Sequence, residues 1–286
     1  MYHTPVLLEP TLNLLALKLG AMVIDATLGD GGHSEAMLEK IGSTGRILGF
    51  DASPSSLSRA RVRLEKFADQ VSFVHSNFGD MKSVAVENGF TSADAVLMDL
   101  GLASWQLDQP ELGLSFQRSE PLDMRLDPRN EKTAASIVNR ASEAELTDIF
   151  ERYGDLHRGR PLAQRIVDAR RKNPIKTTTD LVDLVGSHSP QVLAPIFQAL
   201  RIAVNDELGI LESSLHQALD LLVVGGRIVV ISYHSGEDRI VKNVFRQCKA
   251  DGGFNLLTPK PIVPDQDEQR RNPRSRSAKL RAIQKV

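Results

Sequence analysis

Between residues 22 and 100, short apolar runs alternate with longer segments of helical spacing. The runs Met22–Ala26, Ile47–Asp51, Val71–His75 and Ala95–Leu100 are rich in Val, Ile, Leu and Phe, and Ser34–Ile41, Pro54–Phe67 and Phe78–Asn88 lie between them with helical periodicity. Strands that are apolar along their whole length are buried on both faces. Strands separated by helices must run parallel, so this stretch predicts an α/β chain with a parallel sheet wound on both sides. Ser53 ahead of Pro54 is an N-cap followed by a first-turn proline, which fixes where the second of these helices starts.

The alternation stops near residue 106. Residues 107–129 are rich in Pro, Asp and Gly, yet Leu112, Leu114, Phe116, Leu122 and Met124 give this loop apolar anchors, which predicts an ordered loop. Helical spacing follows over Thr133–Asn139, Glu143–Tyr153, Leu162–Lys172, Thr178–Val185 and Pro190–Ala199. An inserted helical domain over 107–200 is expected, with 1–106 and 201–286 forming the α/β domain. In the latter, Arg201–Leu222 reads as one long helix, Gly225-Gly226 as a turn, Arg227–Tyr233 as a strand and Glu237–Cys248 as a helix. Phe254–Thr258 and Leu280–Lys285 read as a closing antiparallel hairpin across the polar excursion Pro259–Ser277.

The charge balance excludes an overall basic field, since the 286 residues carry a net charge of −1. The basic residues are nevertheless clustered. Arg158, Arg160, Arg165, Arg170, Arg171 and Lys172 form one group, and Arg270, Arg271, Arg274, Arg276, Lys279, Arg281 and Lys285 form another with no acid among them. Each is either a solvated face or a surface for a polyanion. Cys248 is the sole cysteine, which excludes an internal disulfide and a cysteine-based zinc site. No apolar stretch approaches the roughly 20 residues that span a bilayer, and the start of the chain has no signal-peptide pattern. A cytoplasmic, unprocessed protein is expected.

Asp25-Ala-Thr-Leu-Gly-Asp-Gly-Gly-His-Ser34 follows the first strand and opens the first helix of the alternation. A strand, glycine turn and helix start place backbone N–H groups around a small polar ligand. A dinucleotide fingerprint needs a third glycine three residues after Gly31, where Ser34 stands, and no Gly-Lys-Ser/Thr phosphate loop is present. Asp51 ends the second strand about 20 residues on, where an acid accepts hydrogen bonds from a ribose diol. Phe78 follows the third strand and offers a face to an adenine. This layout is that of S-adenosylmethionine-dependent methyltransferases; a dinucleotide site, or glycines that serve only a tight turn, are the competing readings.

Asp99, in Met98-Asp99-Leu100-Gly101, ends the fourth strand at the edge where ligands bind in such sheets. It suits an enzyme that methylates an exocyclic amine, because an acceptor there holds the N–H bonds of a poor nucleophile for in-line attack. A contact to the ammonium group of the cofactor is the other role open to it. His234, in Tyr233-His-Ser-Gly-Glu-Asp-Arg239, ends the strand at 227–233 and is a candidate for base positioning or proton relay. The competing reading is a helix start, with Ser235 as cap and Asp238 at the third position.

Taken together, these motifs resemble the bacterial small-subunit ribosomal RNA cytosine-N4 methyltransferases. The resemblance also rests on His3-Thr-Pro-Val-Leu-Leu8, Gln106-Leu-Asp108, Pro121-Leu-Asp-Met-Arg125, Phe197–Ile202 with Asn205 and Glu207-Leu208, and Asn272-Pro-Arg-Ser-Arg-Ser-Ala-Lys-Leu-Arg281. It implies a Rossmann-like class I methyltransferase sheet with an inserted all-helical domain for substrate recognition. It implies N4-methylation of a cytidine in the decoding region, with S-adenosylmethionine held by Gly31, Gly32, His33, Asp51, Phe78, Asp99 and Gln106, and no metal. Small-subunit ribosomal RNA is the expected partner, a homodimer is compatible with it, and neither a membrane nor DNA is expected; the Pro-Pro-aromatic motif of DNA amino-methylases is missing after the fourth strand. A non-catalytic RNA-binding assembly factor on the same fold is the alternative. The chain departs from the family pattern at Ser53, Ala103, Leu112, Leu114 and Gly236.

Overall fold

In the computed structural model, which describes residues 4–102 and 112–286, the apolar runs are strands. β1 (Met22–Asp25), β2 (Arg46–Asp51), β3 (Val71–His75), β4 (Ala93–Asp99) and β5 (Leu222–Ser232) run parallel. β6 (Phe254–Leu256) and β7 (Lys279–Lys285) form the antiparallel hairpin, with β7 pairing antiparallel to β5. The sheet order is β3-β2-β1-β4-β5-β7-β6. This is the doubly wound, Rossmann-like arrangement with a terminal hairpin that the sequence predicts. The chain steps outward from β1 to β3 and then returns to the other side of β1 as β4. That reversal opens a crevice at the carboxyl ends of β1 and β4, where open α/β sheets bind ligands.

The helices, in chain order, are α1 (Leu8–Leu15), α2 (Gly32–Ile41), α3 (Pro54–Arg63), α4 (Met81–Glu87), α5 (Ala134–Arg140), α6 (Glu143–Gly154), α7 (Gly159–Arg170), α8 (Thr178–Val185), α9 (Pro190–Asn205), α10 (Glu207–Leu221), α11 (Ser235–Ala250) and α12 (Gln266–Arg271). Alternate residues of each strand enter different cores, as a two-residue period requires. Val23, Ile47, Leu97, Val229 and Ile231 pack with Leu15, Met37, Leu38, Leu57 and Leu64 of α1–α3 and their flanks. Ile24, Leu48, Val96, Met98, Ile228 and Val230 pack with Met81, Leu211, Leu215, Val241 and Phe245 of α4, α10 and α11. Both faces are covered, which is why these strands read as continuous apolar runs.

The chain divides into two compact units, one running to Gly101 and resuming over Leu208–Val286, the other Leu102–Glu207. In the second unit, Leu122, Met124, Ile137, Leu146, Phe150, Ile166, Leu181, Phe197 and Leu200 form the core. Thr133, Ser142 and Thr177 start α5, α6 and α8 as capping boxes. From Leu112 on, the loop ahead of α5 sends Leu114, Leu122 and Met124 into this core, with Leu112 and Phe116 packed against it; residues 107–111 of the expected loop lie outside the described residues. Among the described residues, no helix is long and apolar enough to cross a membrane.

Several local expectations are corrected, and Gly225-Gly226, expected as a turn, lies inside β5. Arg201–Leu222 is not one helix: Asp206 adopts the left-handed conformation (φ 49°), ends α9 and separates it from α10. Phe78–Asn88 is a 3-10 turn over Phe78–Asp80 followed by α4, because Asn77 caps the turn by accepting the Gly79 N–H. The excursion 259–277 also carries α12 and a 3-10 turn over Pro273–Ser277, which its polar composition concealed.

Candidate active site

The turn after β1 is clamped by a buried acid. Asp25 accepts the Thr27 N–H at 3.2 Å through Oδ1 and the Ser34 hydroxyl at 2.6 Å through Oδ2, so one side chain ties both ends of the glycine loop. Burial raises its carboxyl to about 6. Gly31, at φ 78°, is the residue before α2, and no side chain caps that helix. The first-turn N–H groups of α2 therefore lack partners within the helix, a donor set of the kind that suits an anion. The three glycines are required for different reasons. A Cβ on Gly31 would lie 3.0 Å from Leu64 Cδ1, and one on Gly32 would lie 2.7 Å from Pro5 Cγ; packing against protein excludes side chains there. At Gly29 (φ 53°) the nearest atom is the Thr27 carbonyl oxygen at 3.9 Å, so its outer side is open. Gly29, absent from the expected ligand set, is thus the glycine of the turn with room beside it.

Asp51 at the end of β2 sits across from this turn. Its Oδ2 accepts the Gly29 N–H at 2.9 Å and its Oδ1 the Ser53 N–H at 2.8 Å. A carboxylate offers about four acceptor positions, so two remain for a ligand such as a vicinal diol. Burial raises the Asp51 carboxyl to about 6, against these backbone bonds which lower it. Donors from a ligand would return it toward the ionised form. Ser53 also caps α3, as its place before Pro54 predicts. Asp51 pairs in register with His75 at the end of β3, which brings the Ser76–Phe78 segment to the same edge of the sheet. Phe78 is half-buried against the core beneath it, and its carbonyl accepts the Ser214 hydroxyl at 2.8 Å.

Asp99 at the end of β4 faces the first turn. Its N–H donates to Thr27 Oγ1 at 2.6 Å. Its Oδ1 accepts the Tyr233 hydroxyl at 2.8 Å, and its Oδ2 lies 3.5 Å from His33 Nδ1. Burial raises the Asp99 carboxyl to about 7; the Tyr233 hydrogen bond opposes this and the Glu237 charge adds to it. The side chain keeps 22% of its surface exposed, which leaves an edge for a ligand. His33 is buried, and its Nε2 lies 3.0 Å from the Val6 carbonyl, which can only accept. Nε2 therefore carries the hydrogen. Burial pushes the imidazole below its usual value, so the ring is neutral and its Nδ1 presents a lone pair to Asp99. The contact at 3.5 Å is accordingly not an ion pair at neutral pH.

The structure thus brings Gly31, Gly32, His33, Asp51 and Asp99 to the carboxyl edge of β1, β2 and β4, with Phe78 beyond β3. Gln106 lies outside the described residues, as does the departure at Ala103. His234 caps α11: its Nδ1 accepts the Glu237 N–H at 3.4 Å, and Glu237 Oε2 accepts the His234 N–H at 3.3 Å. The cap is His234 with Glu237, not Ser235 with Asp238. Asp238 instead holds Arg281 of β7 at 2.6 Å, which lowers its carboxyl despite burial. Gly236 is buried, and a Cβ there would lie 3.1 Å from His234 Nδ1, so this departure leaves room for the imidazole.

Sequence reasoning missed Tyr233 and Val6, whose contacts with Asp99 and His33 are non-local. Several members of the two basic clusters, each left open as a solvated face or a polyanion surface, have partners within the fold. Arg160 pairs with Glu143, Arg171 with Asp168, and Arg170 donates to the Val138 carbonyl. In the C-terminal group Arg281 is buried on Asp238, Arg270 pairs with Asp267 and Lys285 donates to the Leu222 carbonyl, whereas Arg274 and Arg276 are exposed on a 3-10 turn. The motif at 121–125 is structural. Leu122 and Met124 are core, Asp123 holds Arg125 at 2.7 and 2.8 Å, and Asn205 accepts the Leu126 N–H and donates to the Met124 carbonyl.

The arrangement accommodates a diol at Asp51, a carboxylate at the α2 N-terminus, and an N–H donor or cation at Asp99. A sequence model of the MraW methylase family matches residues 1–286. A protein of Heliobacterium mobile named ribosomal RNA small subunit methyltransferase H is 43% identical over 309 residues, covering 100% of this chain and 99% of its own. A protein of the same name from Thermomicrobium roseum is 45% identical over 305 residues, covering 99% and 94%. The chain belongs to the MraW methylase family. Among solved structures, an rRNA methylase from Streptococcus thermophilus aligns over 100% of this chain and 99% of its own, with 13% identity and a TM-score of 0.47. The strand order, not that likeness, carries the fold. Membership in this family makes the chain a methyltransferase.

Proposed function

We propose that this protein is a cytoplasmic methyltransferase that moves a methyl group from S-adenosylmethionine to N4 of a cytidine in the decoding region of small-subunit ribosomal RNA. The observation that carries the reading is the placement of Asp99, a buried carboxylate with one open edge beside the glycine turn. The residues present fit the cofactor. The ribose hydroxyls are assigned to the acceptor positions left on Asp51, the carboxylate to the uncapped first turn of α2 and the adenine to the half-buried ring of Phe78. Gly31, Gly32 and His33 complete the set on the turn after β1, and the family resemblance adds Gln106, which lies outside the described residues. When bound, S-adenosylmethionine supplies an electrophilic methyl group on a sulfonium.

The protein's part is to hold and orient. The lone pair of a cytosine amine is delocalised into its ring, which makes it a poor nucleophile. An acceptor at Asp99 fixes its N–H bonds and favours the tetrahedral nitrogen needed for in-line attack. A carboxyl that titrates near neutrality is also matched to taking up the proton that the nitrogen must lose. His234 acts as a positioning residue through the helix start that carries Glu237. A target base has to leave its stack to enter such a pocket. The helical unit and the exposed Arg274 and Arg276 supply contacts to RNA phosphates. Incubating the protein with labelled cofactor and purified small subunits, naked ribosomal RNA or DNA tests the reading. Label in small-subunit RNA supports it; cofactor binding by calorimetry without any transfer to RNA points to a non-catalytic assembly factor and rejects it.

A further inference from the structure

We propose that Tyr233 is a positioning residue for methyl transfer, its hydroxyl fixing Asp99 Oδ1 so that Oδ2 is left to receive the proton released by the target amine. The inference rests on the reading of Asp99 given above. Tyr233 lies one residue past β5 and is held at both ends. Its N–H donates to Glu237 Oε2 at 2.8 Å, and its ring packs over Gly101, where a Cβ would stand 3.3 Å from Tyr233 Cδ2. Its hydroxyl reaches Oδ1 at 2.8 Å. On the other side of the carboxylate, the His33 hydrogen is already committed to the Val6 carbonyl, so Nδ1 turns a lone pair to Oδ2 at 3.5 Å. An acceptor facing an acceptor repels until a proton lies between them. Oδ2 is therefore the oxygen with most to gain from a proton. As the nitrogen–carbon bond forms and the carbon–sulfur bond breaks, sulfur keeps the bonding pair. The now cationic nitrogen loses one proton to Oδ2, where His33 Nδ1 shares it before it passes to water.

The groups that face Asp99 come from several elements: Asp25 at the end of β1, His33 on α2, and Tyr233 with Glu237 at the start of α11. Glu268 bears on Tyr233 and His33, and Arg63 on His33. Burial dominates and favours the protonated carboxyl, whereas the Tyr233 hydrogen bond favours the carboxylate and the Glu237 charge opposes it. Two conservative variants should therefore move the same group in opposite directions. Removing the hydroxyl in Tyr233→Phe should shift the acid limb of the pH–kcat profile up by about one pH unit, the effect of losing one hydrogen bond to a charged group. Activity should fall about tenfold below the limb and recover on its alkaline side. Removing the charge in Glu237→Gln should shift the limb down.

The titration of the Asp99 carboxyl, followed by carbon NMR of aspartate-labelled protein and assigned with Asp99→Asn, should show the same two shifts without any substrate. A thermal melt of each variant checks that it folds. Opposite shifts in both readouts support the assignment. A Tyr233→Phe profile and carboxyl titration that coincide with wild type, or a loss of activity that is equal at every pH, overturns it. If wild type transfers no methyl group to small-subunit RNA, the functional reading fails instead, and the carboxyl titration still reports whether Tyr233 governs Asp99.

Discussion

Replacing Asp51 with asparagine removes its charge and leaves its shape. In the native site two of about four acceptor positions serve the Gly29 and Ser53 N–H groups, and the remaining two are those assigned to the ribose diol. Asparagine keeps one oxygen and turns an NH₂ donor toward either a backbone N–H or a ribose hydroxyl. One hydrogen bond to a charged group is lost, and such bonds contribute about 1.5–3 kcal/mol. At about 1.4 kcal/mol per factor of ten, the Kd for S-adenosylmethionine should rise about 10- to 150-fold. Titration calorimetry measures this, and the same affinity followed against pH adds a second check. The unliganded carboxyl titrates at about 6 because it is buried, so hydroxyl donors that favour its ionised form should release protons on binding. Affinity should fall as pH drops below about 6 in wild type and lose that dependence in Asp51→Asn. A variant Kd within about twofold of wild type, in a protein that melts normally, would refute the ribose assignment.

Gly29→Ala and Gly31→Ala should part company. Both place a side chain at positive φ, but Gly31 also meets Leu64 at 3.0 Å while Gly29 has an open side, so Gly31→Ala should lower stability by about 1–3 kcal/mol and Gly29→Ala should chiefly weaken cofactor binding; equal effects in melts and calorimetry would contradict this. For Asp99 the folded pKa of about 7 lies above the ordinary 3.8, so the folded state binds more protons in that window and the residue's contribution to stability is lost as pH rises from about 4 to 7. Asp99→Asn should therefore gain stability relative to wild type over that range in denaturant titrations, and a flat difference would count against a carboxyl raised by burial. Neutralising Arg274 and Arg276 together should weaken RNA binding and reduce the slope of log K against log salt by up to about 2, with cofactor affinity unchanged; an unaltered slope removes this turn from the RNA surface.

Much of the α/β unit is legible in the sequence because its signals are local. A strand buried on both faces has to be apolar at every position, and Val23-Ile24 and the run Ile228–Ile231 announce that without reference to partners. Asp51 is legible because spacing from a glycine turn determines which loop it meets. Ser53 before Pro54 predicts its helix start correctly. The elements that escaped depend on contacts far apart in the chain. Tyr233 and Asp99 are separated by 134 residues, and His33 is oriented by a backbone carbonyl 27 residues away, which no side-chain pattern encodes. The division of α9 from α10 at Asp206 is hidden because apolar spacing continues across it, and only a left-handed residue marks the break. The packing at Gly31 and Gly32 also needed the fold, since Leu64 and Pro5 come from elsewhere in the chain and leave no room for a side chain there.

The nucleoside that receives the methyl group separates N4 methylation of cytidine from every other outcome. Small subunits incubated with the protein and isotopically labelled S-adenosylmethionine would be digested to nucleosides, and the labelled product identified by mass spectrometry beside standards. Label is expected in N4-methylcytidine, from a nucleotide that maps to the decoding region, and should be lost with Asp99→Ala. Label in 5-methylcytidine, in a 2′-O-methyl nucleoside or in another base would contradict the assignment of Asp99 to an exocyclic amine.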